Sequence, residues 1–164
     1  EAPAGPMTAT GIHLLDLSVA LLGRAESVHA RVRRLGSQLA NGDTLGLLVG
    51  HESGSNSLIS AILATPFEGR FAVYGNKGWA EVRDKAHPEA PQGWTFTVNL
   101  KDQQKQTKEY PPAQAVLANL EAFADAAAGR APYPVPREQM LANICALEAV
   151  FKSARSGNIE KVEN

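Results

Sequence analysis

His13 and Asp16 are the residues of this sequence best placed to do chemistry. They lie three apart in Gly5-Pro6-Met7-Thr8-Ala9-Thr10-Gly11-Ile12-His13-Leu14-Leu15-Asp16, a run otherwise small or apolar. On a helix that spacing makes the two side chains neighbours. A helix N-terminus favours an anion and disfavours an imidazolium, so a histidine in a first turn tends to stay neutral, the state a general base requires. The same spacing also suits a buried histidine that is satisfied by Asp16 or by backbone and does no chemistry. Spacing alone leaves both readings open.

The remaining residue patterns narrow the chemistry by what they lack. No Gly-x-Gly-x-x-Gly follows a strand pattern and opens a helix, and no phosphate-cradling P-loop occurs, so a dinucleotide fold is not expected in this chain. Gly50-His51-Glu52-Ser53-Gly54 is superficially like a serine nucleophile elbow, but that motif needs one residue on each side of the serine between the glycines and a helix after it. A hairpin turn is expected there instead. The histidines at 13, 29, 51 and 87 show no metal-ligand spacing, so no metal is expected. His29 alternates with Arg31 and Arg33 as on a solvated strand face, and His87 precedes Pro88 in a polar loop.

The elements that must carry His13 follow from periodicity. The first helix is expected over 11–22, with Thr8 or Thr10 as N-cap and Gly23 as its stop. Ile12, Leu15, Val19 and Leu22 form one apolar face, and Leu14, Leu17 and Leu21 a second. Only a strip holding His13, Asp16 and Ala20 lies between, which predicts a largely buried helix whose polar strip faces an interior cleft. From Ser27 to Glu109 the period changes to two, with strands expected at 27–34, 43–51, 56–64, 69–75, 79–83, 94–100 and 104–109. In the sixth, Trp94, Phe96, Val98 and Leu100 face one way and Thr95, Thr97 and Asn99 the other. Ser53-Gly54-Ser55 and Asn76-Lys77-Gly78 are short enough for hairpins, so most of the sheet is antiparallel.

Two helices close the chain. Val116, Leu120, Phe123 and Ala127 form the stripe of one; Met140, Ile144, Leu147, Phe151 and Ala154 form the stripe of the next, which Pro136 can start and Gly157 ends. The order of helix, sheet and two helices predicts an α+β fold with helices packed on one face of the sheet. Leu45, Leu47, Val49, Leu58 and Ile62 leave the other face too apolar for solvent, which predicts an oligomer contact across it.

Bulk properties agree with one domain of ordinary size. Its 164 residues suffice to bury about 70% of the unfolded surface. Sixteen Lys and Arg against 17 Asp and Glu leave a net charge of −1, with no basic stripe for nucleic acid and no polybasic patch for a membrane. No apolar run approaches the roughly 20 residues of a membrane span. The single Cys145 excludes an internal disulfide framework, and Glu1 to Pro6 lack the pattern of a signal peptide, so a soluble cytoplasmic protein is expected.

Four stretches in order carry a family resemblance: Gly11-Ile12-His13-Leu14-Leu15-Asp16 followed by Leu21-Leu22-Gly23; Phe71-Ala72-Val73-Tyr74-Gly75-Asn76-Lys77-Gly78; Asn119-Leu120-Glu121-Ala122-Phe123-Ala124-Asp125-Ala126; and the run from Glu138 through Ser153-Ala154-Arg155-Ser156-Gly157. With them the chain resembles the C-terminal domain of the glucose-fructose oxidoreductase, inositol dehydrogenase and rhizopine-catabolism (Gfo/Idh/MocA) family of NAD(P)-dependent oxidoreductases. The resemblance implies an open-faced, mainly antiparallel sheet whose exposed face makes homodimer or homotetramer contacts. It also implies that His13 lines the substrate pocket and helps move the hydroxyl proton of a sugar, cyclitol or related polyol, with Asp16 as the acidic residue one turn later.

Two departures qualify these implications. Many members carry an aspartate four residues before the histidine, where this chain has Ala9, so Thr8 and Thr10 are the substitutes expected to bind substrate. The Rossmann domain, with its glycine-rich loop and Glu-Lys-Pro lysine, has no counterpart, and Glu1-Ala2-Pro3 lies too near His13 to replace it. Residues 1–164 are therefore expected to be a substrate-binding and oligomerisation domain, inactive alone and without NAD or NADP of its own. The competing expectation is a non-catalytic assembly or binding module sharing the fold.

Overall fold

The structure is a computed structural model that describes residues 4–163; Glu1-Ala2-Pro3 lies outside the described residues. The chain divides into two compact units, Glu1–Thr65 with Pro134–Asn164, and Pro66–Tyr133.

In the first unit a π-helical turn, Met7–Gly11, leads into α1 (Ile12–Leu22). The strands β1 (Ala25–Arg33), β2 (Thr44–His51) and β3 (Asn56–Ile62) follow, and the last helix of the chain, Arg137–Ser156, returns with the short strand Glu160–Lys161. That short strand, which periodicity does not reveal, makes the sheet four-stranded and antiparallel, in the order β3, β2, β1, Glu160–Lys161. Alternation decides which side is core. Val28 and Ala30, Leu45, Leu47 and Val49, and Ile59 and Ala61 are buried on one face beneath Leu15 and Val19 of α1. The last helix adds Ala142, Ala146, Ala149 and Val150, whose small side chains let it lie close to β1. Each large apolar side chain so buried contributes about 1.5–3 kcal/mol.

The opposite face is open, and its register is legible across strands. Leu48 pairs with Leu58, and Thr44 with Ile62. Leu58 is 85% exposed. The five apolar residues expected to share this face are therefore split: Leu45, Leu47 and Val49 point into the core, while Leu58 and Ile62, with Leu48, point outward.

The β1–β2 connection is fixed by one buried carboxylate. Asp43 accepts hydrogen bonds from the backbone N–H groups of Leu35 (2.9 Å), Gly36 (2.9 Å) and Ser37 (2.7 Å) and from Thr44 Oγ1 (2.9 Å). The Leu35 N–H first, and the other donors with it, hold the carboxyl well below the usual carboxylate range against the opposing effect of burial.

The second unit is an antiparallel meander of β4 (Arg70–Gly75), β5 (Gly78–Asp84), β6 (Trp94–Leu100) and β7 (Gln106–Tyr110). Phe71, Val82 and Phe96 make one cross-strand row, and Val73, Ala80 and Val98 the next on the same face. The other face is polar: Glu81 accepts from Arg83 Nε (2.7 Å) and Arg70 Nε (2.5 Å), which hold its carboxyl below the ordinary range. The strands expected from Ser27 to Glu109 are thus shared between two four-stranded sheets, a division the period-two pattern does not mark.

Helix α2 (Ala115–Ala127) buries no side chain, and Val116, Leu120 and Phe123 of its predicted stripe are exposed. The helix Arg137–Ser156 is α3, begun by Pro136 and ended by Gly157 in the left-handed region, as its end signals predict; Glu160–Lys161 is β8. Among the described residues no helix is long and apolar enough to cross a membrane.

Candidate active site on helix α1

Helix α1 packs by one face only. Met7, Gly11, Leu15, Ser18 and Val19 are buried, while Ala9, Thr10, His13, Leu17, Ala20 and Leu21 share an exposed face. The sequence expectation of a helix buried on both sides is overturned: Leu17 is 44% and Leu21 60% exposed, and the polar strip does not line an interior cleft of this unit. The physical reason is that periodicity reports which faces are apolar but not whether the same chain supplies a cover for each.

The expected caps are also corrected. Thr8 and Thr10 lie within the helical run, where Thr8 Oγ1 donates to the Gly5 carbonyl and Thr10 Oγ1 to the Pro6 carbonyl, both at 3.2 Å. Neither hydroxyl caps, because the run begins before them. The backbone around them takes a π turn, with the Ile12 N–H reaching back to the Met7 carbonyl. Gly11 packs closely there: a Cβ would sit 3.1 Å from Met7 Sδ and 3.2 Å from Leu45 Cδ2, so a larger residue would push those side chains back by a few tenths of an ångström. Such turns are rare and recur at functional sites. This one ends immediately before Ile12 and His13.

His13 is exposed and Asp16 half-buried, and neither makes a hydrogen bond or ion pair with another described residue. The buried, satisfied histidine that spacing alone allowed is therefore not His13. It is His51, only 2% exposed at the end of β2. Its Nδ1 donates to the Gly23 carbonyl (2.8 Å), so in the neutral ring Nε2 accepts from the Ser57 hydroxyl (2.9 Å). Ser53 Oγ donates to the Leu22 carbonyl at 2.8 Å, and the Glu52 N–H to the Arg24 carbonyl at 3.0 Å. The β2–β3 hairpin, expected at this position, thus satisfies the carbonyls at the end of α1 and fixes the helix that carries His13. The sequence signal for His51 is its place after Leu45, Leu47 and Val49 on the inward side of β2.

The other histidines form no site. His29 Nε2 bonds the Gly157 carbonyl at 3.3 Å, and His87 is exposed with its ring edge against Phe67. Among the described residues no group of three or more His, Cys, Asp or Glu side chains gathers as a metal site would. Nor do the described residues fit a dinucleotide: α1 is entered from the π turn, α2 from Pro111-Pro112-Ala113-Gln114 and α3 from Pro136, none of them a glycine-rich turn following a strand.

The fold is thus an α+β domain with antiparallel sheets and a histidine-bearing helix beside the first of them. Residues 1–81 match the family model described as the GFO/IDH/MocA C-terminal domain. Solved structures carry the same fold over nearly the whole chain. An oxidoreductase-type protein from Desulfitobacterium hafniense superposes with a TM-score of 0.84 at 19% identity, covering 98% of this chain and 49% of that one. The aldose-aldose oxidoreductase from Caulobacter crescentus, complexed with glycerol, gives 0.77 at 20% identity, covering 95% and 47%. The WlbA dehydrogenase from Bordetella pertussis, in complex with NADH and UDP-GlcNAcA, gives 0.72 at 19% identity, covering 97% and 46%. The chain spans about half the length of each of these proteins. No curated protein sequence matches it.

Proposed function

We propose that this chain is the substrate-binding and oligomerisation domain of an NAD(P)-dependent oxidoreductase acting on a sugar, cyclitol or related hydroxy compound, with His13 beside the reacting hydroxyl. The observation that carries the reading is the uncommitted imidazole of His13 on the exposed face of an otherwise anchored helix, next to a π turn. Oxidising an alcohol removes a hydride from carbon and a proton from oxygen. The hydride acceptor is a nicotinamide held outside these residues, and its binding is assigned to none of them. The proton goes to a ring nitrogen of His13, a step for which a positioned base contributes about 10²–10⁴-fold.

Neighbouring groups suit a polyol. Thr10 is exposed, and its hydroxyl, while donating to the Pro6 carbonyl, keeps lone pairs that can accept from a substrate O–H. Thr8 offers the same capacity from a half-buried position, and the Asp16 carboxylate, without a partner among the described residues, can accept from a further hydroxyl. The exposed Leu48, Leu58 and Ile62 support a homodimer or homotetramer through the open sheet face. The unpaired Cys145 suits a reducing compartment such as the cytoplasm.

The test is the coding sequence upstream of Glu1 and the protein it specifies. The reading expects an in-frame Gly-x-Gly-x-x-Gly and a Glu-Lys-Pro motif, and polyol-dependent reduction of NAD(P)+ by the full-length product. A start codon adjoining Glu1, or a full-length protein without such turnover on a panel of sugars and cyclitols, would sink it.

A further inference from the structure

The first unit contains a cleft that the proposed function does not use. Strand β8 pairs with β1 only at Ser27 and Val28, so farther along that side of β1 no strand follows. Helix α3 lies over the gap, with Ser153 Oγ accepting the Ala30 N–H at 2.8 Å. Beyond that bond a cavity of about 410 Å³ opens between the end of β1 and the last turns of α3. That volume lies within the range of small-molecule sites.

Its lining has two parts. Val32, Phe151 and Ala154 supply an apolar, partly aromatic wall. Arg33, Arg34 and Arg155 supply three positive charges, and no described lining residue is acidic. Arg34 and Arg155 make no hydrogen bond or ion pair with another described residue, and Arg33 only donates to the Val32 carbonyl at 2.8 Å. Three guanidinium groups at one cleft, without a counter-charge among the described residues, repel each other, and an oxyanion there would relieve that repulsion while accepting paired N–H donors. Asp43, which follows Gly42 of the lining, is fully buried and already saturated by four donors.

We propose that this cleft binds a small oxyanion, phosphate or carboxylate, carried on an apolar body. The oxyanion bridges Arg34 and Arg155, and the body rests on Val32 and Phe151. The site is separate from His13 and stands whether or not the proposed oxidoreductase reading does.

The experiment titrates the 164-residue chain with phenyl phosphate, and in a parallel arm with benzoate, at fixed ionic strength, following amide shifts and binding heat. Saturable binding is expected, with shifts concentrated at residues 32–34 and 151–155. Arg34→Gln and Arg155→Gln should each weaken it about tenfold or more, the loss of one charge-assisted contact. Arg130→Gln, in the other unit, should leave it unchanged. The tighter-binding probe identifies the oxyanion as phosphate or carboxylate. The inference is overturned if neither probe saturates, or if the two cleft variants bind as the unaltered chain does while their circular dichroism shows an intact fold.

Discussion

The buried pair His51 and Ser57 offers a quantitative test of how α1 is anchored. Ser57→Ala removes a hydroxyl at the 9% exposed position and leaves His51 Nε2 a buried acceptor without a donor, a loss of about 1–3 kcal/mol. His51→Ala breaks that bond and the bond to the Gly23 carbonyl, and opens a cavity; Gly23 is exposed, so water can take over its carbonyl. The sum is about 2–5 kcal/mol. In the double variant no polar partner is stranded by the other's loss, so the two effects should fall short of additivity by about 1–2 kcal/mol. Both tryptophans, Trp79 and Trp94, lie in Pro66–Tyr133, so fluorescence follows the other unit. Urea unfolding should therefore be read by hydrogen exchange of the β2 and β3 amides, supported by far-UV circular dichroism. Additivity within about 0.3 kcal/mol would refute the inferred hydrogen bond and with it the anchoring of α1 by this hairpin.

Two further outcomes follow from buried polar groups. Ser153 Oγ accepts the Ala30 N–H and donates to the Asn158 carbonyl at 2.5 Å, so Ser153→Ala should destabilise the first unit by about 1–3 kcal/mol in denaturant titration. The Asp43 carboxyl titrates below its unfolded value, so its stabilisation is complete above about pH 4 and is lost as pH falls through the folded pKa. Melting temperature measured against pH should show that acid limb, and Asp43→Asn should both lower stability at neutral pH and flatten the limb.

The strand pattern was legible because alternation and turn residues are local properties. The strand over 94–100 agrees at both ends, and the hairpin at Ser53-Gly54-Ser55 forms where a glycine was available for the positive φ of Gly54. Long-range facts were not legible. Nothing local marks the break between the two sheets, and Glu160–Lys161 is a strand only because β1 lies beside it. The site was half legible. Residue types singled out His13, but the apolar second face of α1 suggested burial, whereas Leu17 and Leu21 lie open beside the histidine. The same ambiguity hid His51, whose imidazole is fixed by groups 28 and 6 residues away. Thr8 and Thr10 look like caps in sequence because cap preference is stated for the start of a helix, and only the backbone shows that the run begins earlier.

The measurement that bears most directly on the central claim compares turnover and stability for His13→Ala in the full-length protein. An exposed histidine with no partner among the described residues contributes little to folding, so the melting temperature should stay within about a degree of the unaltered protein. If His13 takes the hydroxyl proton, kcat/KM for the polyol should fall by about 10²–10⁴-fold while the dissociation constant for NAD(P)H is unchanged. A variant that keeps its turnover, or that loses it only in proportion to a lowered melting temperature, would contradict the account.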